Sequence, residues 1–186
     1  RRVLFRSWNT LPTNQHYILN KRICGCGATE AYIRSDKKVI LASPRKHLLY
    51  NKYSQHLKDN LHLYRFTGDK KKYFESRTTS STDILAFNDS LTGYIKSGGN
   101  KVLTTYDSLR KIMEALKDSG EDLSQWIVVV DEFQAIFYDC QYKAVTEYEL
   151  YQVLQRFSTV VYLSATPYLE SYLRSEERRV GKECRS

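Results

Sequence analysis

Only three prolines and eight glycines occur in 186 residues, too few for a collagen-like or linker-like chain. No run approaches the roughly 18 apolar residues that a membrane span requires, so no membrane partner is expected. The first residues are not followed by a long apolar stretch, and no secretory signal is visible. Cysteine is scarce. Cys24, Cys26, Cys140 and Cys184 are too few for a disulfide scaffold and suit a reducing cytoplasm. No internal repeat is present. There remains a chain with 41% hydrophobic residues, long enough to bury one core.

Positive charge is in excess, with a formal net charge of +8. Much of it lies at the two ends. Residues 1–7 read RRVLFRS and residues 174–186 read RSEERRVGKECRS. Both strings look like translations of sequencing-adapter DNA, and scars of this kind are kept out of fold reasoning. They carry +3 and +2, which leaves +3 for residues 8–173. A global basic field that would draw in nucleic acid is therefore not expected. The expected domain spans residues 8–173, as a piece of a longer protein.

Within that span, apolar runs alternate with helical periodicity. Residues 38–43 (KVILAS), 101–105 (KVLTT), 126–130 (WIVVV) and 159–163 (TVVYL) read as buried strands. Residues 61–66 are a further candidate strand. Helices are predicted over 45–61, with Leu48, Leu49, Tyr53 and Leu57 at helical spacing, over 82–97 with Leu85, Leu91 and Ile95, over 108–117, and over 147–157 with Tyr148, Tyr151, Leu154 and Phe157. Lys70, Lys71 and Lys72, with the Ser/Thr cluster at 76–82, read as one solvated polar loop. Strands alternating with helices imply a mainly parallel sheet covered on both faces, a three-layer α/β domain. Ligands of such sheets sit beyond the carboxyl ends of the strands.

Three motifs fall at or near strand ends. The first is Gly25-Cys26-Gly27-Ala28-Thr29, just before a short helical stretch. Glycines let a loop turn its N–H groups around phosphate oxygens, and a hydroxyl at position 29 can serve Mg²⁺. A plain glycine-rich turn reads equally well from these residues alone. Cys24-x-Cys26 lacks a second Cys/His pair at ligand spacing, so no metal site is expected there. The second motif is Asp131-Glu132-Phe133-Gln134, after WIVVV. Two adjacent carboxylates at the end of a buried strand are costly unless they bind something. One can hold hydrated Mg²⁺ while the next deprotonates water. The third is Ser164-Ala165-Thr166-Pro167, after TVVYL; in isolation it is best read as a helix cap.

In this order the three motifs resemble motifs I, II and III of the first motor domain of the superfamily 2 helicases, which has the RecA-like P-loop NTPase fold. Ala42-Ser43-Pro44-Arg45 is similar to the family's motif Ia. Thr104-Thr105-Tyr106-Asp107-Ser108-Leu109 resembles its Thr-Tyr-x-Ser-Leu element. The resemblance covers residues 20–169, and the glycine loop is similar to that of bacteriophage helicase-like proteins. It implies that Gly25, Cys26, Gly27, Ala28 and Thr29 bind ATP phosphates, that Thr29 and Asp131 hold Mg²⁺, and that Glu132 is the general base. It further implies that Gln134 senses the γ-phosphate and that Ser164, Ala165 and Thr166 couple nucleotide state to strand movement. Pro44, Arg45, Thr105 and Ser108 would grip a nucleic-acid strand, DNA rather than RNA. Such grips need local donors, not a high net charge.

The pattern is broken at Ala28, where the family carries the lysine that neutralises phosphate charge. Its loss removes transition-state stabilisation, and Lys21 is the expected substitute. The resemblance also implies a second RecA-like domain elsewhere in the parent protein. A non-hydrolysing nucleic-acid-binding module and a viral DNA-packaging ATPase are the competing functions.

Overall fold

A computed structural model of the chain describes residues 13–20, 27–75, 80–138 and 148–164. Six strands, β1 (His16–Asn20), β2 (Lys38–Ser43), β3 (His62–Leu63), β4 (Lys101–Thr105), β5 (Trp126–Asp131) and β6 (Thr159–Ser164), form one sheet in the order β1-β6-β5-β2-β4-β3. Every pairing is parallel. The helices are α1 (Ala28–Arg34), α2 (Lys46–Gln55), α3 (Lys70–Glu75), α4 (Ser81–Lys96), α5 (Leu109–Asp118), α6 (Gln134–Tyr138) and α7 (148–154).

Two apolar layers sandwich the sheet. Tyr32 and Ile33 of α1, Leu49 of α2 and Tyr73 of α3 pack against Val39, Leu41, Ile127, Val129 and Leu163. On the opposite face Leu91 of α4, Ile112 and Leu116 of α5 and Leu154 of α7 pack against Ile40, Val102, Val128 and Val160. Alternate residues of β2 and β5 thus serve opposite faces, the pattern of strands buried on both sides. The handedness of parallel crossovers explains the split for every helix named except α3, which shares the β3-to-β4 connection with α4 but packs on the first face. The connections through α1 and α2 run along the sheet toward β3, whereas those through α4, α5 and α7 run back toward β1. Right-handed connections then place the two sets on opposite faces. The three-layer α/β architecture expected from the alternation of strands and helices is the observed one.

Several boundaries differ from expectation. The helix expected over 45–61 ends at Gln55, and Leu57 beyond it is exposed. The strand expected over 61–66 pairs only at His62–Leu63. Lys70–Glu75 is a short helix, not a loop. The Oδ1 of Asp69 accepts the N–H groups of Lys71 (2.9 Å) and Lys72 (3.2 Å), and Tyr73 is buried, so a cap and one aromatic organise it without an apolar stripe. The expected apolar positions Leu48, Leu85, Tyr148 and Tyr151 are exposed, because each of these helices buries only the narrow stripe that meets the sheet. β1 was not anticipated by periodicity. It alternates Tyr17 and Leu19, partly buried, with an exposed Ile18, and five residues are too few for a clear signal. Residues 1–12, 21–26 and 165–186 lie outside the described residues. Among the described residues no helix is long and apolar enough to cross a membrane.

Candidate functional site

All six strands point the same way, so their carboxyl ends share one rim, the usual ligand position in open α/β sheets. Asp131 ends β5, Ser164 ends β6, Ser43 ends β2 and Thr105 ends β4. Asp131 pairs with Leu163, the neighbour of Ser164, and Ser164 pairs with Asn20 at the end of β1. The start of α1 and the end of β5, about a hundred residues apart in the chain, meet at this rim. Thr29, in the first turn of α1, donates from Oγ1 to Asp131 Oδ2 at 3.2 Å.

Gly27 is the N-cap of α1 with φ 85°. Among the described residues no atom would lie within 4 Å of an added Cβ, and the left-handed φ itself favours glycine here. Ala28 is buried in the apolar layer beneath α1 and supplies no charge to the rim. Two contacts anchor α1. The hydroxyls of Tyr32 and Tyr17 share a hydrogen bond of 2.8 Å, and burial pushes both phenols above their ordinary pKa. Buried His56 faces Glu30 Oε2 through Nε2 (2.7 Å) and Asp59 Oδ2 through Nδ1 (2.5 Å), which ties α1 to the end of α2.

The acidic pair is held in two different ways. Asp131 Oδ1 accepts the N–H of Glu132 at 3.1 Å, and its Oδ2 accepts Thr29. Glu132 Oε2 accepts Gln134 Nε2 at 2.7 Å. Glu132 itself has φ 60°, the left-handed region, which costs a residue with a Cβ about 1–2 kcal/mol. Strain of this kind persists only where the surroundings over-determine it. Here the Phe133 N–H donates to Leu163 O (3.1 Å), and the hydroxyl of Tyr106 donates to the Asp131 carbonyl (2.6 Å). Gln134 Oε1 is buried and has no hydrogen-bond partner among the described residues, an acceptor left open beside the carboxylates.

The donors assembled here are all oxygen, a hydroxyl and a carboxylate, the set that suits a hard cation such as Mg²⁺. Among the described residues no group of three or more His, Cys, Asp or Glu could hold a metal. A cation at Thr29 and Asp131 would thus complete its coordination with water and phosphate oxygens, as Mg²⁺ commonly does. Glu132 lies one residue on, where a carboxylate can take a proton from water. The residues present fit the group.

A second stretch of rim lies beside the first. Ser43 and Thr105 are register partners, and β2 is the neighbour of β5. Pro44 is half-buried and Arg45 exposed. Arg45 is the N-cap of α2, without a side-chain cap and with no acid in the first turn. Thr105 Oγ1 donates to Ser108 Oγ at 3.4 Å. The hydroxyl of Ser43 is buried without a partner among the described residues. These residues offer N–H, hydroxyl and guanidinium donors, the chemistry that positions phosphates.

The structure therefore brings together Thr29, Asp131, Glu132 and Gln134, sets Ser164 one strand away, and sets Pro44, Arg45, Thr105 and Ser108 along the adjoining rim. Lys21, Gly25, Cys26, Ala165 and Thr166 lie outside the described residues. Sequence reasoning passed over Tyr106, which it quotes within a motif without a role, and His56; Asp131, which accepts from Tyr106, and Glu30, which faces His56, come from other elements. No protein-family model matches the chain, and no curated protein matches it.

Proposed function

We propose that the chain is the first motor domain of a superfamily 2 helicase or translocase, a RecA-like domain that binds ATP with Mg²⁺ and one strand of nucleic acid, DNA rather than RNA, in the cytoplasm. The observation that carries this reading is the 3.2 Å contact between Thr29 Oγ1 and Asp131 Oδ2. It joins a glycine turn to an acidic strand end, with a second carboxylate next in sequence. Two unrelated sequence motifs meeting at one sheet rim is what a phosphate site with a cation requires.

ATP with Mg²⁺, when bound, supplies the phosphoanhydride bond and the positive charge that screens it. Gly25, Cys26, Gly27, Ala28 and Thr29 would bind its phosphates, and Thr29 and Asp131 would hold the cation by oxygen. Glu132 takes the proton of an attacking water at Oε1, the oxygen that Gln134 does not occupy. Gln134 keeps that carboxylate in place through Oε2. Ser164, with Ala165 and Thr166, couples the neighbouring strand to the state of the site. Pro44, Arg45, Thr105 and Ser108 hold phosphates of the bound strand. The loop has no lysine at position 28, and Lys21 supplies the missing cation.

One observation favours a second reading. Ala28 is packed in the core, so the loop's usual charge is missing from this position, as expected of a nucleic-acid-binding module that does not hydrolyse ATP. Phosphate release by the parent protein, with and without single-stranded DNA, separates the two. The motor reading expects DNA-stimulated turnover that Glu132→Gln lowers by about 10²–10⁴-fold without weakening nucleotide binding. Lys21→Ala should lower turnover as well, and unchanged turnover would remove Lys21 from the mechanism. Tight DNA binding with no turnover in the wild type would leave the binding module.

A further inference from the structure

We propose that Tyr106 is a positioning residue that links occupancy of the β2–β4 rim to the geometry of the acidic pair. The inference rests on the motor-domain reading and adds the connection between its two ligands. Tyr106 opens the 3₁₀ turn Tyr106–Ser108 after β4. In the sheet order, β2 lies between β4 and β5. The phenol therefore reaches past the end of β2 to donate to the Asp131 carbonyl at 2.6 Å.

That carbonyl belongs to the peptide joining Asp131 to Glu132. Its direction sets where the Glu132 N–H points, which is to Asp131 Oδ1. It also stabilises the left-handed conformation of Glu132 and so aims the carboxylate that Gln134 holds. One hydrogen bond thus acts on the backbone of both acids without touching either carboxylate. Its other end is tied to the candidate strand grip. Thr105 precedes Tyr106, Ser108 follows two residues later, and their hydroxyls bond across the turn. A phosphate held by Thr105 and Ser108 would shift or stiffen the three-residue turn whose first residue carries the phenol. Burial, then the charges of Asp131 and Glu132, push the phenol pKa up, so the hydroxyl keeps the proton it donates.

A purely structural tyrosine would stabilise the fold and leave the two ligands independent. The test is therefore a coupling measurement on the 186-residue chain. The probes are the Mg²⁺ complex of a fluorescent, non-hydrolysable ATP analogue and a single-stranded oligothymidylate. The analogue's affinity is titrated with and without saturating oligonucleotide, and the reverse titration must return the same ratio. The wild type is expected to show coupling of about fivefold or more. Tyr106→Phe, which keeps the ring and loses the donor, is expected to retain both separate affinities while the ratio falls to one. Tyr106→Met, read alongside, removes the donor with a different shape, and urea unfolding checks that each variant is folded. Coupling that survives in either folded variant overturns the inference and leaves the motor reading standing, as does a wild type that binds both probes independently. A wild type that binds neither probe ends both.

Discussion

Lys101 opens β4 with its side chain 4% exposed and its ammonium donating to the Lys37 carbonyl. Burial brings its pKa down to about 8, against about 10.4 in an unfolded chain. Between those values the unfolded chain holds more protons than the folded one, so stability rises with pH across that window. Below about pH 8 the cost of the buried charge is fully present. Lys101→Met is therefore expected to be more stable than the wild type at pH 7, by up to about 3 kcal/mol. The gap should close as the pH approaches 10. Urea unfolding of both proteins at the two pH values measures it, and a gap that does not change with pH would show that Lys101 keeps its ordinary pKa. Glu132 too is held against its own preference, in a left-handed conformation supported by the strand end and by Tyr106. No sequence pattern marks either residue, because burial and backbone strain follow from neighbours supplied by distant segments.

α1 is only seven residues long, too short to be stable alone, yet it carries Thr29. Its position depends on what it is attached to. Tyr32 is buried against β1 through the Tyr17 hydroxyl, and Glu30 is held by His56, which also faces Asp59. Arg34 adds a 2.8 Å ion pair with Glu30, exposed and so of little weight. His56→Ala should cost about 1–3 kcal/mol and loosen α1 from α2. Urea unfolding reads the first effect, and hydrogen exchange in residues 28–34, rising ahead of global unfolding, reads the second. Uniform exchange across the chain would mean that α1 does not depend on this clamp. β2, β4, β5 and β6 were legible because a strand buried on both faces must be a continuous apolar run; five-residue β1, with Ile18 exposed, carried no such run. Helix ends were less so, since the chain beyond Gln55 and the helix at Lys70–Glu75 are decided by a histidine clamp and an aspartate cap.

The whole domain is one parallel sheet between two helical layers, so every strand end opens on the same side. A ligand that bridges α1 and β5 there would stabilise the folded state as a unit. With ATP and Mg²⁺ at a hundred times the dissociation constant, the expected gain is about 2.7 kcal/mol, seen as a rise in melting temperature. ATP with EDTA should give less, and Asp131→Ala should remove the dependence on Mg²⁺. A melting temperature unmoved by saturating ATP and Mg²⁺ would count against the site as drawn.

Which stretches form the four central buried strands, and which residue types stand at their ends, could be read from the residues alone, because apolar runs, periodicity and the placement of carboxylates along a chain are local properties. Tertiary structure decided which ends are neighbours. Thr29 reaches Asp131 because α1 connects β1 to β2 across the two strands between them, β6 and β5, and Tyr106 reaches the acids because the turn after β4 stands only one strand from β5. Strand order depends on crossover direction and on packing summed over two layers, quantities that no single stretch of sequence contains.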